Sequence, residues 1–229
     1  SVMGIDALPT HLPEWTIRNP APEQERPRMI RPSQAAGADE PAVPYSAGDS
    51  RRFERGLLIH ALLARLPDIA PQDRRDAACT YLLRKQVDDA QAELLIAETL
   101  EVLEHPEFAD VFAPEARAEV SIVADLPELG RDARVNGRLD RLAVNAARVL
   151  AVDFKTNRPA PALLSEVPVI YRTQMALYRA ALAKIFPGRR IACALVWTES
   201  PSLMPLPDEI LDAEIAQIRA RLDPQDSRS

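Results

Sequence analysis

Three short runs carry the clearest pattern along the chain. In "RAEVSIVADL" (117–126), "ARVNGRLDRLAV" (133–144) and "ARVLAVDFKT" (147–156), Val, Ile and Leu alternate with polar residues or crowd together, and turn residues separate the runs. Period-two alternation with β-branched enrichment predicts strands, and their close succession predicts an antiparallel meander. Helical spacing occupies the flanks. "GDSRRFERGLLIHALLARLP" offers Asp49 or Ser50 as N-cap, an apolar face through Phe53, Leu57, Ala61 and Ala64, and Pro67 as a stop. Further helices are expected near 73–86 and 89–104, divided by Asp88-Asp89 and closed at His105-Pro106. Helices at 169–186 and 207–222 enclose a strand in "RRIACALVWTES" (189–200). That order predicts an α/β protein, α+β by strict counting, with a mixed central sheet flanked by helices.

Residues 1–44 break the pattern. They hold 8 of the 21 prolines and little periodic hydrophobicity, so a linker or wrapping arm is expected there rather than a packed element, with Trp15 as a residue that could dock. The start at Ser1, followed by this stretch, suggests a piece of something longer. Residues 45–229 then form one domain, helical over 45–106 and carrying sheet and helices over 107–222. The chain's 229 residues and 47% hydrophobic content suit a sizeable core. The 5% aromatic share argues against a base-stacking single-strand platform.

With no signal peptide and no bilayer-length apolar run, a soluble, cytoplasmic protein with no membrane association is expected. Two cysteines, Cys79 and Cys193, exclude a disulfide framework and a four-thiolate zinc or iron–sulfur site from this chain alone. The net charge of −6 conceals an asymmetry: residues 131–190 hold 12 Lys and Arg against 4 Asp and Glu, a local +8. That block is either a solvated surface or a phosphate-facing patch.

The same block contains the candidate chemistry. On a strand over 147–156, Leu150, Val152 and Phe154 share one face, while Ala151, Asp153 and Lys155 share the other. Asp140 stands within "GRLD" on the preceding strand. If the two strands pair, both carboxylates converge at one edge of the sheet, where hard oxygen donors select Mg²⁺ or Mn²⁺. An ordinary Asp–Lys ion pair is the plainer reading of these residues alone. His60 follows Gly56 by one helical turn, Glu119 is a carboxylate inside a strand run, and Gln174 and Tyr178 share a helix face at i and i+4. Taken singly, each is explained by packing or solvation.

Taken together, "GLLIH" (56–60), "AEV" (118–120), "GRLD" (137–140), "VDFKT" (152–156) and "QMALY" (174–178), in that order, resemble the RecB-type branch of the PD-(D/E)xK nucleases. Within it, the chain most resembles the C-terminal nuclease domains of AddA subunits of bacterial AddAB helicase-nucleases. The resemblance covers about residues 45–222. It implies a restriction-endonuclease-like sheet, and an Mg²⁺-dependent deoxyribonuclease of exonuclease type that processes double-strand break ends for recombinational repair.

Residue by residue, it implies His60, Asp140, Asp153 and the backbone carbonyl of Phe154 as metal ligands, Lys155 as the catalytic lysine, and Glu119 as an acidic residue serving a ligand or its water. It also implies Gln174 and Tyr178 as substrate-positioning residues. Implied partners are DNA, as single strands delivered by a helicase, a helicase domain upstream and an AddB-like subunit. No iron–sulfur cluster is expected, which separates this chain from relatives that carry four cysteines. The chain has 7 Gly and no "GxxxxGK[ST]" run, so any motor lies outside it. Arg158 and Arg172, bordering the motif-bearing strand and helix, are the arginines expected to contact phosphate. The competing reading is a catalytically weak nuclease-fold module that guides DNA or docks a helicase subunit. A general endonuclease of the same superfamily gives no reason for His60 or the Gln174-Tyr178 helix.

Overall fold

The computed structural model describes residues 27–35, 47–146 and 148–222, with the side chains of 47–51 outside that set. Strand β3 (Ala133–Val144) is the spine of the sheet. Along one edge it pairs antiparallel with β2 (Arg117–Asp125), from Arg117 opposite Leu142 to Asp125 opposite Arg134. The other edge is shared. Its start takes β1 (Arg28–Ile30) in parallel through Ala133–Val135, and its end takes β4 (Arg148–Lys155) antiparallel through Arg141–Val144. Between them, residues 136–140 have no strand partner on that edge among the described residues. Beyond β4 the sheet continues with β5 (Arg190–Trp197), parallel, and β6 (Ser202–Leu206), antiparallel.

This is the mixed sheet with flanking helices that the pattern predicts, with six strands in place of the four expected, and β2-β3-β4 is the expected meander. Two strands were not expected. β1 lies inside the proline-rich stretch, where three residues on an edge suffice to pair without any readable periodicity. β6, "SLMPL", contains Pro205, which an edge strand tolerates because one side of its backbone needs no partner. Trp15 lies outside the described residues.

The two faces of β4 divide the core. Leu150, Val152 and Phe154 pack beneath α1 (Ala47–Arg65), α2 (Arg74–Arg84) and α3 (Asp89–Glu104), against Ile59, Leu63, Leu82 and Ile96. Val149 and Ala151 pack beneath α4 (Val169–Ile185) and α5 (Asp208–Leu222), against Met175, Leu177 and Ile218. Full burial of each of the larger of these side chains contributes about 1.5–3 kcal/mol. The cap of α3 is Asp88, whose carboxylate accepts the Gln91 N–H at 3.0 Å, and the helix ends at His105-Pro106 because proline supplies no N–H.

Helix α1 departs from expectation in its orientation. Its buried stripe is Ile59, Leu62 and Leu63, continued by Leu66 just past its end, while Phe53 and Leu57 are 63% and 55% exposed. Both stripes are apolar, and periodicity alone cannot say which one meets the sheet. The helix also begins at Ala47, before the expected caps Asp49 and Ser50, whose side chains lie outside the described set. Among the described residues no helix is long and apolar enough to cross a membrane.

Candidate active site

The edge of β3 left unpaired between β1 and β4 is where the chemistry gathers. Past the Arg141–Val152 pair the two strands part, and the backbone N–H of Phe154 loses its ladder partner. Asp140 replaces it: Oδ2 accepts that N–H at 2.8 Å, while Oδ1 lies 3.3 Å from His60 Nδ1 on α1. Burial alone would lower the His60 pKa, but the hydrogen bond to Asp140 and the charges of Asp140 and Asp153 more than offset it, so the imidazole sits above its ordinary value.

Asp153 and Lys155 project from the other face of β4, beneath α4, and both are buried. Lys155 Nζ is 2.5 Å from Asp153 Oδ2 and donates to Gln174 Oε1 at 3.0 Å; Gln174 Nε2 donates to Asp153 Oδ1 at 3.2 Å. Carboxylate, ammonium and amide thus close a ring in which each polar end faces its complement. Desolvation pushes the Asp153 carboxyl above the usual carboxylate range; Lys155 pulls it down and Asp140 pushes it up.

Glycine permits these approaches. A Cβ on Gly56 would lie 2.9 Å from Thr156 Oγ1, so α1 can press against the end of β4. A Cβ on Gly137 would meet Pro32 Cδ and Tyr178 Cε1, each at 2.9 Å. Tyr178 donates its hydroxyl to the Arg138 carbonyl at 2.6 Å, so this side chain holds the unpaired β3 edge; burial, then the nearby carboxylates, pushes its pKa up to about 12.

Glu119, at φ +54°, directs its carboxylate to Arg138 Nε at 2.7 Å. All of these side chains line one cleft of about 770 Å³.

Of the two arginines expected to contact phosphate, neither lines that cleft. Arg172 donates to Glu214 of α5 at 2.9 Å and to the Val167 carbonyl at 3.3 Å, an interhelical contact. Arg158 donates to Glu98 at 2.9 Å and lies 3.7 Å from Glu199. Proximity in sequence put them beside the site, and carboxylates from distant elements hold them elsewhere. The same holds for most of the basic block: Arg134, Arg148, Arg179 and Lys184 pair with Asp125, Asp110, Asp208 and Glu128, and Arg141 is buried against Val111 and Phe112. Besides Lys155, the cleft is lined by Arg52, Arg65 and Arg138.

Two residues that shape the site, one lining the cleft and one behind it, went unread in the sequence. Tyr171, one turn before Gln174, covers Lys155 with its ring, 3.9 Å from Nζ to centroid, and its hydroxyl donates to Asn157 at 2.9 Å. Its i−3 spacing from Gln174 was the available signal. Glu98 of α3 binds Arg55 of α1, Arg158 after β4, and the Thr198 hydroxyl after β5 at 2.6 Å; Arg55 also reaches the Thr156 carbonyl at 3.2 Å. No local pattern marks it.

Among the described residues no three His, Cys, Asp or Glu side chains are gathered as a finished metal cage, because Asp153 is turned toward Lys155 and Gln174. The donor chemistry nonetheless fits a divalent cation. Two carboxylates, Asp140 and Asp153, and the His60 imidazole line one cleft, and Asp153 is raised chiefly by burial with the Asp140 charge adding to it, a cost that a bound cation would offset.

A family model described as PD-(D/E)XK nuclease superfamily matches residues 34–223. No curated protein matches the chain at a significant level. A solved structure described as "Crystal structure of SSO0001" is similar over 76% of this chain and 83% of that one, at 15% identity and a TM-score of 0.34, a likeness too loose to bear on fold or function.

Proposed function

The chain belongs to the PD-(D/E)XK nuclease superfamily, and from that premise we propose that it is a metal-dependent DNA nuclease, the nuclease module of an AddAB-type helicase-nuclease. One observation carries the reading: Asp153, Lys155 and Gln174 form a closed set of contacts beside Asp140, on a strand edge left open to a cleft. A structural ion pair needs neither the open edge nor the second carboxylate.

The residues divide the work of hydrolysing a phosphodiester, in which a water oxygen bonds to phosphorus and the bond to the 3′ oxygen breaks. Asp140, Asp153, His60 and the Phe154 carbonyl would hold the cation. When bound, Mg²⁺, or Mn²⁺ in its place, supplies Lewis-acid stabilisation of the phosphate and a lowered water pKa. Lys155, kept on Asp153, Gln174 and the face of Tyr171, orients the attacking water or offsets the charge that develops on the phosphate. Gln174 fixes Lys155, Tyr178 fixes the β3 edge, and Glu119 with Arg138 forms the rim over which the strand enters. The expected setting is cytoplasmic, with a helicase upstream feeding single strands and an AddB-like partner; the five motifs in order support it.

The test is degradation of linear DNA in Mg²⁺ or Mn²⁺, with EDTA and Asp153→Ala as controls. Loss of cleavage in both controls is the expected result, and cleavage persisting in both would overturn the reading.

A further inference from the structure

Helix α1 carries two apolar stripes, and only one is sealed in the core. The other, Phe53 and Leu57, is 63% and 55% exposed and looks into the cleft two turns and one turn before His60. Phosphate binding does not account for this surface, since phosphate is anionic and strongly hydrated. Arg52 and Arg138 line the same cleft. An aromatic ring and a leucine beside guanidinium groups suit a ligand that joins an anionic backbone to flat apolar faces.

We infer that Phe53, backed by Leu57, is a stacking subsite for an unpaired nucleobase of the strand being cut. The inference rests on the nuclease reading and specifies it. Base faces are open in a single strand and hidden in a duplex, so a stacking ring selects single-stranded DNA without reading its sequence. Phe53 lies two turns, about 10 Å along the helix, before His60, so the stacked base sits beside the nucleotides that flank the scissile phosphate.

The test uses the full chain and three probes: a dT oligonucleotide, a strand of the same length carrying abasic positions throughout, and a duplex. Binding is read by fluorescence anisotropy in EDTA, which halts cleavage. Phe53→Ala should weaken dT binding about tenfold, Phe53→Trp should restore it, and both should leave the abasic strand and the duplex unaffected. Because the side chain is exposed, thermal unfolding of Phe53→Ala should match the wild type.

Equal dT affinity for wild type and Phe53→Ala, or an abasic strand that binds the wild type as tightly as dT, overturns the subsite and leaves the nuclease reading standing. Wild-type protein that neither binds nor cleaves any DNA overturns both. A dimer that Phe53→Ala converts to monomer assigns the patch to a second copy of this chain and likewise overturns the subsite.

Discussion

Asp140 stands in for a strand: its Oδ2 takes the Phe154 backbone N–H at 2.8 Å just past the last β3–β4 pair. The same carboxylate therefore serves the sheet through one oxygen and the site through the other. Asp140→Asn separates the two roles. The amide oxygen can still accept the N–H, so urea unfolding should change by less than about 1 kcal/mol. Loss of the anionic donor should lower the nuclease rate about a hundredfold. Cleavage near the wild-type rate would remove Asp140 from the reaction.

Lys155 pulls down a carboxyl that burial pushes up. Lys155→Met removes that pull, so Asp153 ionises only at higher pH. Residual cleavage should fall about a hundredfold, with its acid limb moved upward. The stability sign is fixed by the same shift. A carboxyl whose folded pKa lies above its unfolded value favours folding below the unfolded pKa, and that advantage disappears as pH rises through the folded value. Metal-free Lys155→Met should lose more stability relative to wild type at about pH 8 than at about pH 5. A difference independent of pH would show that Lys155 does not govern Asp153.

Arg138 and Arg172 should part company. Arg138→Ala, at the cleft rim, should weaken DNA binding and reduce the slope of log affinity against log salt by about 1. Arg172→Ala should leave both unchanged and destabilise the fold by about 1–3 kcal/mol, because Glu214, only 3% exposed, loses its cation. Salt titrations and urea melts distinguish the two outcomes.

Gly137→Ala should destabilise by about 1–3 kcal/mol, since its Cβ meets the rings of Pro32 and Tyr178, which cannot yield by rotation. Gly56→Ala should be milder, because the atom it meets is a hydroxyl that can turn away. The order of the two unfolding midpoints is the measurement.

The sequence made the meander and the face division of β4 legible because period-two alternation is a local property, visible in "LAVDFKT". It gave no means of seeing that β4 leaves β3 after Val152, and that departure is what turns Asp140 from a surface carboxylate into a ladder partner. Phe53 and Leu57 misled for a related reason: α1 has two apolar stripes, and His60 can reach Asp140 only if the longer one, through Leu62 and Leu66, faces the core. Arg158 and Arg172 misled because charge was read along the chain, while Glu98 and Glu214 arrive from helices 60 and 42 residues away.

Glu98 joins α1, the segment after β4 and the segment after β5 through one carboxylate. A minimal catalytic fragment that began after α3 would delete Arg55 and His60 together with Glu98, and would strip Arg158 and Thr198 of their shared anion. If the nuclease reading holds, α1 and α3 are thus half of the cutting jaw, and a version trimmed of them should not cut.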